Sequence, residues 1–239
     1  MSKVVKRGYS INDEREFGDK SIEKLYKAAN DLYYLLNHEY NIKGASTFIG
    51  NHYLLSERQR LALVRAISSK EDIQMRKNKK VTKDLEKSVV NIDGFNTIIT
   101  LEVALSHSIL LKCMDGTIRD LAGLRGSYRL IDKTKLAIKM IGEMLEEIKV
   151  AKAIFYLDAP VSNCGRLKEK ILELLNEFSF DVQVENVENV DGILQTLDNV
   201  ITSDAIILDK CKSWINLNKK ILENNDYNCP YIDFSMLKG

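Results

Sequence analysis

The sequence lacks the features that mark secreted, membrane-spanning and zinc-binding proteins. No apolar run approaches the roughly 18 residues of a membrane span, and the first residues, MSKVVKRGYS, lack the apolar stretch of a signal peptide. The four cysteines are far apart with no C-x-x-C pair, which argues against a zinc site and a disulfide framework. We therefore expect a cytoplasmic protein with reduced cysteines and no membrane partner.

Charge is distributed unevenly along the 239 residues, although the formal net charge is only +1. Residues 1–88 carry 18 Lys and Arg against 12 Asp and Glu, whereas residues 89–239 carry 17 against 22. A basic front and an acidic back indicate two units with different partners. We therefore predict a helical, basic domain over residues 1–87 and a second domain over residues 88–239.

The front part is predicted to be helical. The segment SIEKLYKAANDLYYLLNHEY repeats apolar residues at three- and four-residue steps. SERQRLALVRAISS begins with Ser56 and Gln59 at capping-box spacing, and its Leu63, Val64 and Ile67 are predicted to face the core. NIKGASTFIGNHYLL, with two glycines, is predicted to be a structured connection. The charged SKEDIQMRKNKKVTKDLEKS is predicted to be a linker or an exposed helix.

Two arginines of the front part, Arg58 and Arg65, are seven residues apart on a side of the predicted helix that is not its apolar side. Together with the Lys-rich RKNKK downstream, they suggest a surface that binds nucleic acid. The alternative is a small helical domain whose basic side chains are only solvated. His38 and His52 have no evident set of metal ligands around them in the sequence.

Short apolar runs alternate with helical patterns in the back part. SVVNID, KAIFYLDAP and DNVITSDAIILD are predicted to contain buried strands, FDVQVENV a strand exposed on one face, and ILLKCMDGTIRDLAG a hairpin that turns at Asp115 and Gly116. Helices are predicted in TIITLEVALSHSI, DKTKLAIKMIGEMLEEI, NCGRLKEKILELLNEF and SWINLNKKILE. This alternation predicts a doubly wound, mainly parallel α/β sheet that is covered on both faces.

Three predicted strands end in an aspartate, namely Asp93, Asp158 and Asp204. Because open α/β sheets bind ligands at the carboxyl ends of their strands, we expect these residues to share one crevice, which Asp191 could also reach. Clustered carboxylates repel one another unless a cation lies between them, and Mg²⁺ and Mn²⁺ prefer oxygen ligands. The pattern therefore indicates metal-assisted phosphodiester hydrolysis. The alternative for each single aspartate is a helix N-cap.

The segment NIDGFNTIIT resembles the first strand of the PIN-like nucleases, and more closely that of their NYN branch, where a strand-end Asp is followed by Gly and Asn. FYLDAP is similar to the second acidic strand end of this branch, and VENVDGILQTLDNVITSDAIILD resembles its late segment. The likeness covers residues 88–210. The whole chain, including FIGNHYLLSERQR and DAPVSNCGR, also resembles a largely archaeal family of uncharacterised two-part proteins.

The resemblance to the nucleases implies a PIN-like fold and a Mg²⁺- or Mn²⁺-dependent endoribonuclease that acts on RNA. It implies that Asn96 orients the site or touches phosphate. The basic side chains of the front part, Arg58 and Arg65, lie outside this resemblance, and on the nuclease hypothesis the front domain would use them to position RNA. The catalytic acids that the resemblance implies are Asp93, Asp158, Asp191 and Asp204. Asp93 would be the primary metal ligand, and Asp158 and Asp204 would complete the metal site.

Two features depart from the nuclease pattern. Active members often place a second acid close after the Ser-Asp, but SDAIILD delays it to Asp209, which favours the alternative of an inactive RNA- or ribonucleoprotein-binding protein. MDGTIRDLAG and DAPVSNCGR are not general features of these nucleases, so this family's own substrate site is predicted to include Arg119, Asp120, Ser162, Asn163 and Arg166. Arg166, near a helix start, would hold a phosphate, unless it is simply a surface arginine.

Overall fold

The computed structural model describes residues 5–123, 126–224, 227 and 229–237. The front part is helical, as predicted, and its described helices are α1 (Asp13–Phe17), α2 (Asp19–Leu36), α3 (Ile42–His52), α4 (Glu57–Ala66) and α5 (Lys70–Lys79). The capping box predicted at the start of α4 is confirmed, with Ser56 and Gln59 bonded to each other's backbone amides. None of the described helices has the length and apolar character needed to cross a membrane.

The back part alternates strands and helices, which confirms the predicted α/β pattern. Its described elements are, in chain order, β1 (Val89–Asp93), α6 (Gly94–Leu105), β2 (Leu110–Lys112), β3 (Ile118–Asp120), α7 (Asp132–Glu147), β4 (Lys152–Asp158), α8 (Cys164–Leu175), β5 (Asp181–Val187), α9 (Val190–Leu194), β6 (Val200–Ile201), α10 (Ala205–Lys210), β7 (Trp214–Ile215), α11 (Leu217–Asn224) and β8 (Tyr231–Asp233).

The central sheet has the strand order β5-β4-β1-β6-β7, and every neighbouring pair is parallel. From β1 the chain therefore adds β4 and then β5 on one side of the sheet. It then crosses back over β1 and adds β6 and then β7 on the other side. The order reverses between β1 and β6. Such a switch point opens a crevice at the carboxyl ends of the two strands, because their connections leave toward opposite sides.

A second, small sheet joins the two parts of the chain. Strands β2 and β3 form the predicted antiparallel hairpin, with Gly116 at a φ of +79° in its turn, and β8 pairs parallel with β2. One hydrophobic cluster contains residues of the front helices and of this sheet. Its buried members include Leu25, Leu32, Leu63, Ile67, Leu111, Cys113, Leu121, Ile232 and Phe234. The front helices therefore complete their core on the back part instead of forming a separate one.

The structure corrects one local prediction in the front part, decides between two alternatives for another segment, and adds two short strands to the back part. The segment predicted as a structured connection is α3, because Ala45 and Ile49 lie four residues apart on one buried face and the Asn41 side chain caps the helix start. Of the two alternatives for the charged segment after α4, a linker or an exposed helix, the structure shows a helix, α5, in which Arg76 is buried. Strands β7 and β8 were not predicted, since two or three residues are too short to show a period.

The side of α4 that carries Arg58 and Arg65 is less open than the sequence predicts, because both guanidinium groups contact other parts of the chain. The Arg58 guanidinium donates from Nε to Asp13 Oδ1 at 2.6 Å and from Nη2 to Asp13 Oδ2 at 3.1 Å. It also donates to the backbone carbonyls of Gly8 and Leu121. Arg65 donates to the carbonyls of residues 120 and 122. This side of α4 faces the chain after β3, whereas Val64, predicted to face the core, is 43% exposed.

The contacts of Arg58 predict a structural role. Asp13 is buried, so Arg58→Gln leaves its carboxylate without a cationic partner, and we expect the free energy of unfolding to fall by about 3 kcal/mol. The matched control is Arg15→Gln, which removes the same charge from a side chain that is 76% exposed and should change stability by less than about 0.5 kcal/mol. Urea titrations measure both. Equal stability of the two variants would contradict the structural role.

Candidate functional site

The crevice at the switch point is built around Asp93, the last residue of β1. Its Oδ1 accepts from the Asn96 backbone amide at 3.3 Å and so caps α6, and its Oδ2 accepts from Thr202 Oγ1 at 2.8 Å. The side chain is thus both an N-cap and a link to the segment after β6. The two alternatives weighed from the sequence, cap and site residue, are compatible in one aspartate.

The segment after β6, residues 202–204, is held against the start of α6. Asn96 Oδ1 accepts from the backbone amide of Ser203 at 3.2 Å and from its hydroxyl at 2.7 Å. Thr202 Oγ1 accepts from the Asp204 amide at 3.0 Å, and Asp204 in turn caps α10 by accepting from the amide of Ile206 at 2.8 Å. These bonds fix both aspartates across the switch point.

The four predicted catalytic aspartates come together in this crevice. One cavity of about 180 Å³, called the acidic pocket below, is lined by Arg65, Asp93, Phe95, Asn96, Ile99, Asp120, Ala122, Asp158, Asp191 and Asp204. Each aspartate comes from a different place in the fold. Asp93 ends β1, Asp158 ends β4, Asp191 lies in the first turn of α9, and Asp204 precedes α10.

Burial favours the protonated forms of Asp93, Asp158 and Asp191, and repulsion between carboxylates adds to this effect for Asp93 and Asp191. The pKa of Asp93 is raised to about 7, chiefly by burial, and the Asp204 and Asp191 charges add to the rise while the Thr202 and Asn96 hydrogen bonds oppose it. The pKa of Asp191 is also raised, by burial and then by the charges of Asp204 and Asp158. Burial raises the pKa of Asp158. A cation in the pocket would relieve this repulsion.

The donor set of the acidic pocket fits a hard divalent cation in kind, since it offers carboxylate and amide oxygens and no sulfur or imidazole. In the part of the chain that the structure describes, no three Asp, Glu, His or Cys side chains are already gathered around a single metal position. The predicted direct set of Asp93, Asp158 and Asp204 is therefore not preassembled. Mg²⁺ commonly binds one or two carboxylates directly and keeps several waters, which this arrangement allows.

Two residues of the β3 end and of α4 reach the pocket as well. Asp120 Oδ2 accepts from Thr100 Oγ1 at 2.7 Å, and its Oδ1 accepts from the Ala122 amide at 2.8 Å and lies 3.4 Å from Arg65 Nη1. Asp120 was predicted to belong to the substrate site, whereas the position of Arg65 beside the acids was not predicted. Thr202 was not predicted either, although the Thr-Ser-Asp triplet is a visible signal of a polar strand end.

Arg119 holds the segment after β6 in place through three contacts. Its Nε donates to the Ser203 carbonyl at 2.6 Å, its Nη2 donates to Asp115 at 2.6 Å, and its Nη1 donates to the Arg65 carbonyl. Asp115 also pairs with Arg76 Nη1 at 2.8 Å, and the two arginines hold the pKa of this carboxyl below its usual value against the opposing effect of burial. Arg119 is therefore an anchor of the segment after β6.

Several predicted site residues do not line the acidic pocket. Asp209 pairs with Arg76 Nε at 2.7 Å, so the delayed acid forms a structural ion pair. Asn163, at a φ of +68°, donates from Nδ2 to the Tyr128 carbonyl at 2.8 Å, and Ser162 bridges to Ser127. Arg166 is exposed in the first turn of α8, outside the pocket lining. With Arg58, these residues form no part of the crevice at the switch point.

Comparison with known proteins places this crevice in an uncharacterised family. Residues 82–220, more than half of the chain, match the model described as "Domain of unknown function (DUF5616)". The chain belongs to this family. Residues 24–79 match "Protein of unknown function (DUF434)". The DUF5616 segment contains all four predicted catalytic aspartates, whereas the DUF434 segment contains α4 with Arg65.

A relative supports the same two-part organisation. The chain is 37% identical over 183 residues to an uncharacterised protein of Methanocaldococcus jannaschii, an alignment that covers 76% of this chain and 88% of the relative. This match and the two family models confirm the predicted uncharacterised archaeal family of two-part proteins. No solved structure matches the chain significantly.

The raised pKa of Asp93 predicts a pH dependence of stability. Its pKa rises from 3.8 unfolded to about 7 folded, so its neutral form contributes stability that is complete below pH 3.8 and is lost as the pH rises to 7. In a chelator, we expect the wild type to lose about 2 to 3 kcal/mol of unfolding free energy relative to Asp93→Asn between pH 5 and pH 8, at roughly 1.4 kcal/mol per pKa unit.

Urea titrations at the two pH values measure this difference. The control variant is Asp198→Asn, whose side chain is 60% exposed and pairs only loosely with Lys212, at 3.6 Å. Its stability relative to the wild type should be the same at both pH values. A stability difference for Asp93→Asn that also stays constant would show that Asp93 is ionised throughout this range.

Proposed function

We propose that the protein is a metal-dependent endoribonuclease with a PIN-like back domain, and that Mg²⁺ or Mn²⁺ binds in the acidic pocket. The observation that carries this proposal is the meeting of Asp93, Asp158, Asp191 and Asp204 in one cavity at the switch point of a parallel sheet. The strand order with β1 at the centre and the strand-end acids support the PIN-like assignment. The front domain's positive charge supports RNA as the partner.

The surroundings of each aspartate in the acidic pocket indicate its role in the proposed reaction. Asp93 is fixed by Thr202 and the α6 amide, and Asp204 by the amides of α10, so both carboxylates are preoriented at the crevice. Asp191 is exposed, and burial together with the charges of Asp204 and Asp158 raises its pKa, so its carboxylate is suited to accept a proton from an attacking water. A bound divalent cation would supply a more acidic water and neutralise charge on the phosphate.

The first experiment measures cleavage of a single-stranded oligoribonucleotide by the full-length protein. We expect cutting with Mn²⁺ or Mg²⁺ and none after chelation. Asp204→Asn should reduce kcat by at least about 100-fold, with RNA binding nearly intact, because Asn can still cap α10 while the carboxylate charge is lost. Asp198→Asn, outside the pocket, is the matched control and should cut like the wild type. Equal rates for the two variants would refute the assignment.

The second experiment tests the metal independently of turnover. Mn²⁺ should raise the melting temperature of the wild type, because a ligand that binds only the folded state stabilises it by mass action. Asp93→Asn should remove most of this shift, whereas Asp198→Asn should keep it. The Asp93→Asn protein without metal should be at least as stable as the wild type near neutral pH. An identical Mn²⁺ response in all three proteins would exclude a metal site at Asp93.

The alternative is an RNA- or ribonucleoprotein-binding protein that has the fold without turnover. The observation in its favour is that three carboxylates are not preassembled around one metal position among the described residues. The delayed acid also favours this alternative, because Asp209 pairs with Arg76 and does not line the acidic pocket, so it supplies no second acid there. Persistent RNA binding with no cleavage of any tested RNA would establish the alternative.

A further inference from the structure

A second cavity adjoins the acidic pocket and lies between the front and back parts of the chain. This side cavity has a volume of about 210 Å³ and is lined by Val64, Arg65, Asn96, Arg119, Asp120, Ser203, Asp204, Ala205 and Ile206. Four of these residues, Arg65, Asn96, Asp120 and Asp204, also line the acidic pocket. The two cavities are therefore neighbouring compartments of one crevice.

The walls of the side cavity include two unusually exposed aliphatic side chains. Val64 of α4 is 43% exposed, and Ile206 of α10 is 56% exposed. They come from different parts of the chain, one inside the DUF434 segment and one inside the DUF5616 segment. Neither side chain is accounted for by the hydrophobic clusters of the fold. Apolar groups at a polar crevice provide contact area for a flat, partly apolar ligand group.

The cationic wall of the side cavity is Arg65. Its side chain is one third exposed, and its contact with the Asp120 carboxylate is long, at 3.4 Å. It also donates to the backbone carbonyls of residues 120 and 122, which orient the guanidinium without neutralising it. Arg119, by contrast, is buried and paired with Asp115. An arginine held in this way is preorganised for an anion that enters the crevice beside the acids.

We propose that the side cavity is a subsite for one nucleotide of single-stranded RNA, adjacent to the phosphate held at the acidic pocket. Arg65 binds a phosphate oxygen, and the base packs between Val64 and Ile206. The cavity is smaller than the roughly 300 Å³ of typical small-molecule pockets, which suits one ring system. The base must leave its stack to enter, so the subsite selects unpaired nucleotides. This inference rests on the RNA-binding part of the proposed function.

The test is a double-mutant cycle in which a side chain of the protein and a base of the RNA are removed separately and together, and the RNA affinity is measured each time. Oligoribonucleotides carrying one abasic residue, moved position by position, are titrated against full-length Asp204→Asn protein, which suppresses turnover. Val64→Ser or Ile206→Ser in this background should weaken binding of intact RNA about threefold to tenfold. At one abasic position the same substitutions should have no further effect, because the base that they contact is already absent.

The matched control for the aliphatic wall is Leu136→Ser on α7, because Leu136 is 45% exposed and does not line the crevice. It should leave every affinity unchanged. If Val64→Ser and Ile206→Ser weaken binding equally for intact RNA and for every abasic RNA, no base contacts these residues and the inference is overturned. Circular dichroism and urea titration verify that each variant is folded.

The role of Arg65 is tested by the salt dependence of the same affinities. Arg65→Gln should weaken binding about tenfold and reduce the log–log salt slope by about 0.7, the value for one phosphate contact on a single strand. Arg65→Lys should retain the slope. The control Arg15→Gln removes the same charge from an exposed position and should retain both affinity and slope. If Arg65→Gln and Arg15→Gln change the affinity and the salt slope equally, Arg65 contributes only to the overall charge of the protein. That result would refute a phosphate contact at Arg65.

The outcomes separate this subsite from the nuclease activity. If the protein cuts RNA but the effects of the substitutions and of base removal are additive, the proposed function stands and the subsite is refuted. If the protein does not cut RNA but the two effects are coupled, the subsite stands and the catalytic proposal is refuted. Absence of RNA binding by the wild type, with and without Mg²⁺, overturns both.

Discussion

The hydrogen bond from Thr202 to Asp93 is the contact on which the arrangement of the site depends. It joins the ends of β1 and β6, the two strands between which the chain reverses its direction of sheet building. The bond from Ser203 to Asn96 repeats this link one turn further along α6. Strand β6 contributes only two residues to the ladder, so these side-chain bonds, more than sheet pairing, define where Asp204 lies. Catalytic geometry of this kind requires such supporting contacts.

A buried ion network connects this site to the front part. Arg76 of α5 and Arg119 of β3 share the Asp115 carboxylate, which is fully buried, and Arg119 continues to the Ser203 carbonyl. Removing one member of such a network leaves an uncompensated charge in the core and is strongly destabilising, so the three side chains hold one another in place. A shift of α5 would therefore move Asp115 and Arg119 and so displace the segment that carries Asp204.

The sequence predicted the back domain well because its signals are local. Runs of apolar residues, helix periods and the strand-end positions of Asp93 and Asp158 can be identified within ten-residue windows, and parallel topology then places these acids at one edge. The failures concern partners distant in sequence. Arg58 was assigned to RNA because its bond to Asp13, 45 residues away, leaves no local trace. The role of Asp209 could not be predicted for the same reason, because its partner Arg76 is 133 residues away.

The shared core changes how the two parts must be studied. The front helices cover Leu111, Ile232 and Phe234 of the small sheet, so a back part expressed alone would expose this apolar face to water. It would also lose Arg65 from the wall of the acidic pocket. Poor RNA binding by such a fragment would then reflect misfolding or an incomplete crevice as much as a missing basic surface. Single substitutions in the full chain are therefore the informative way to distinguish RNA binding from catalysis, because they leave the shared core intact.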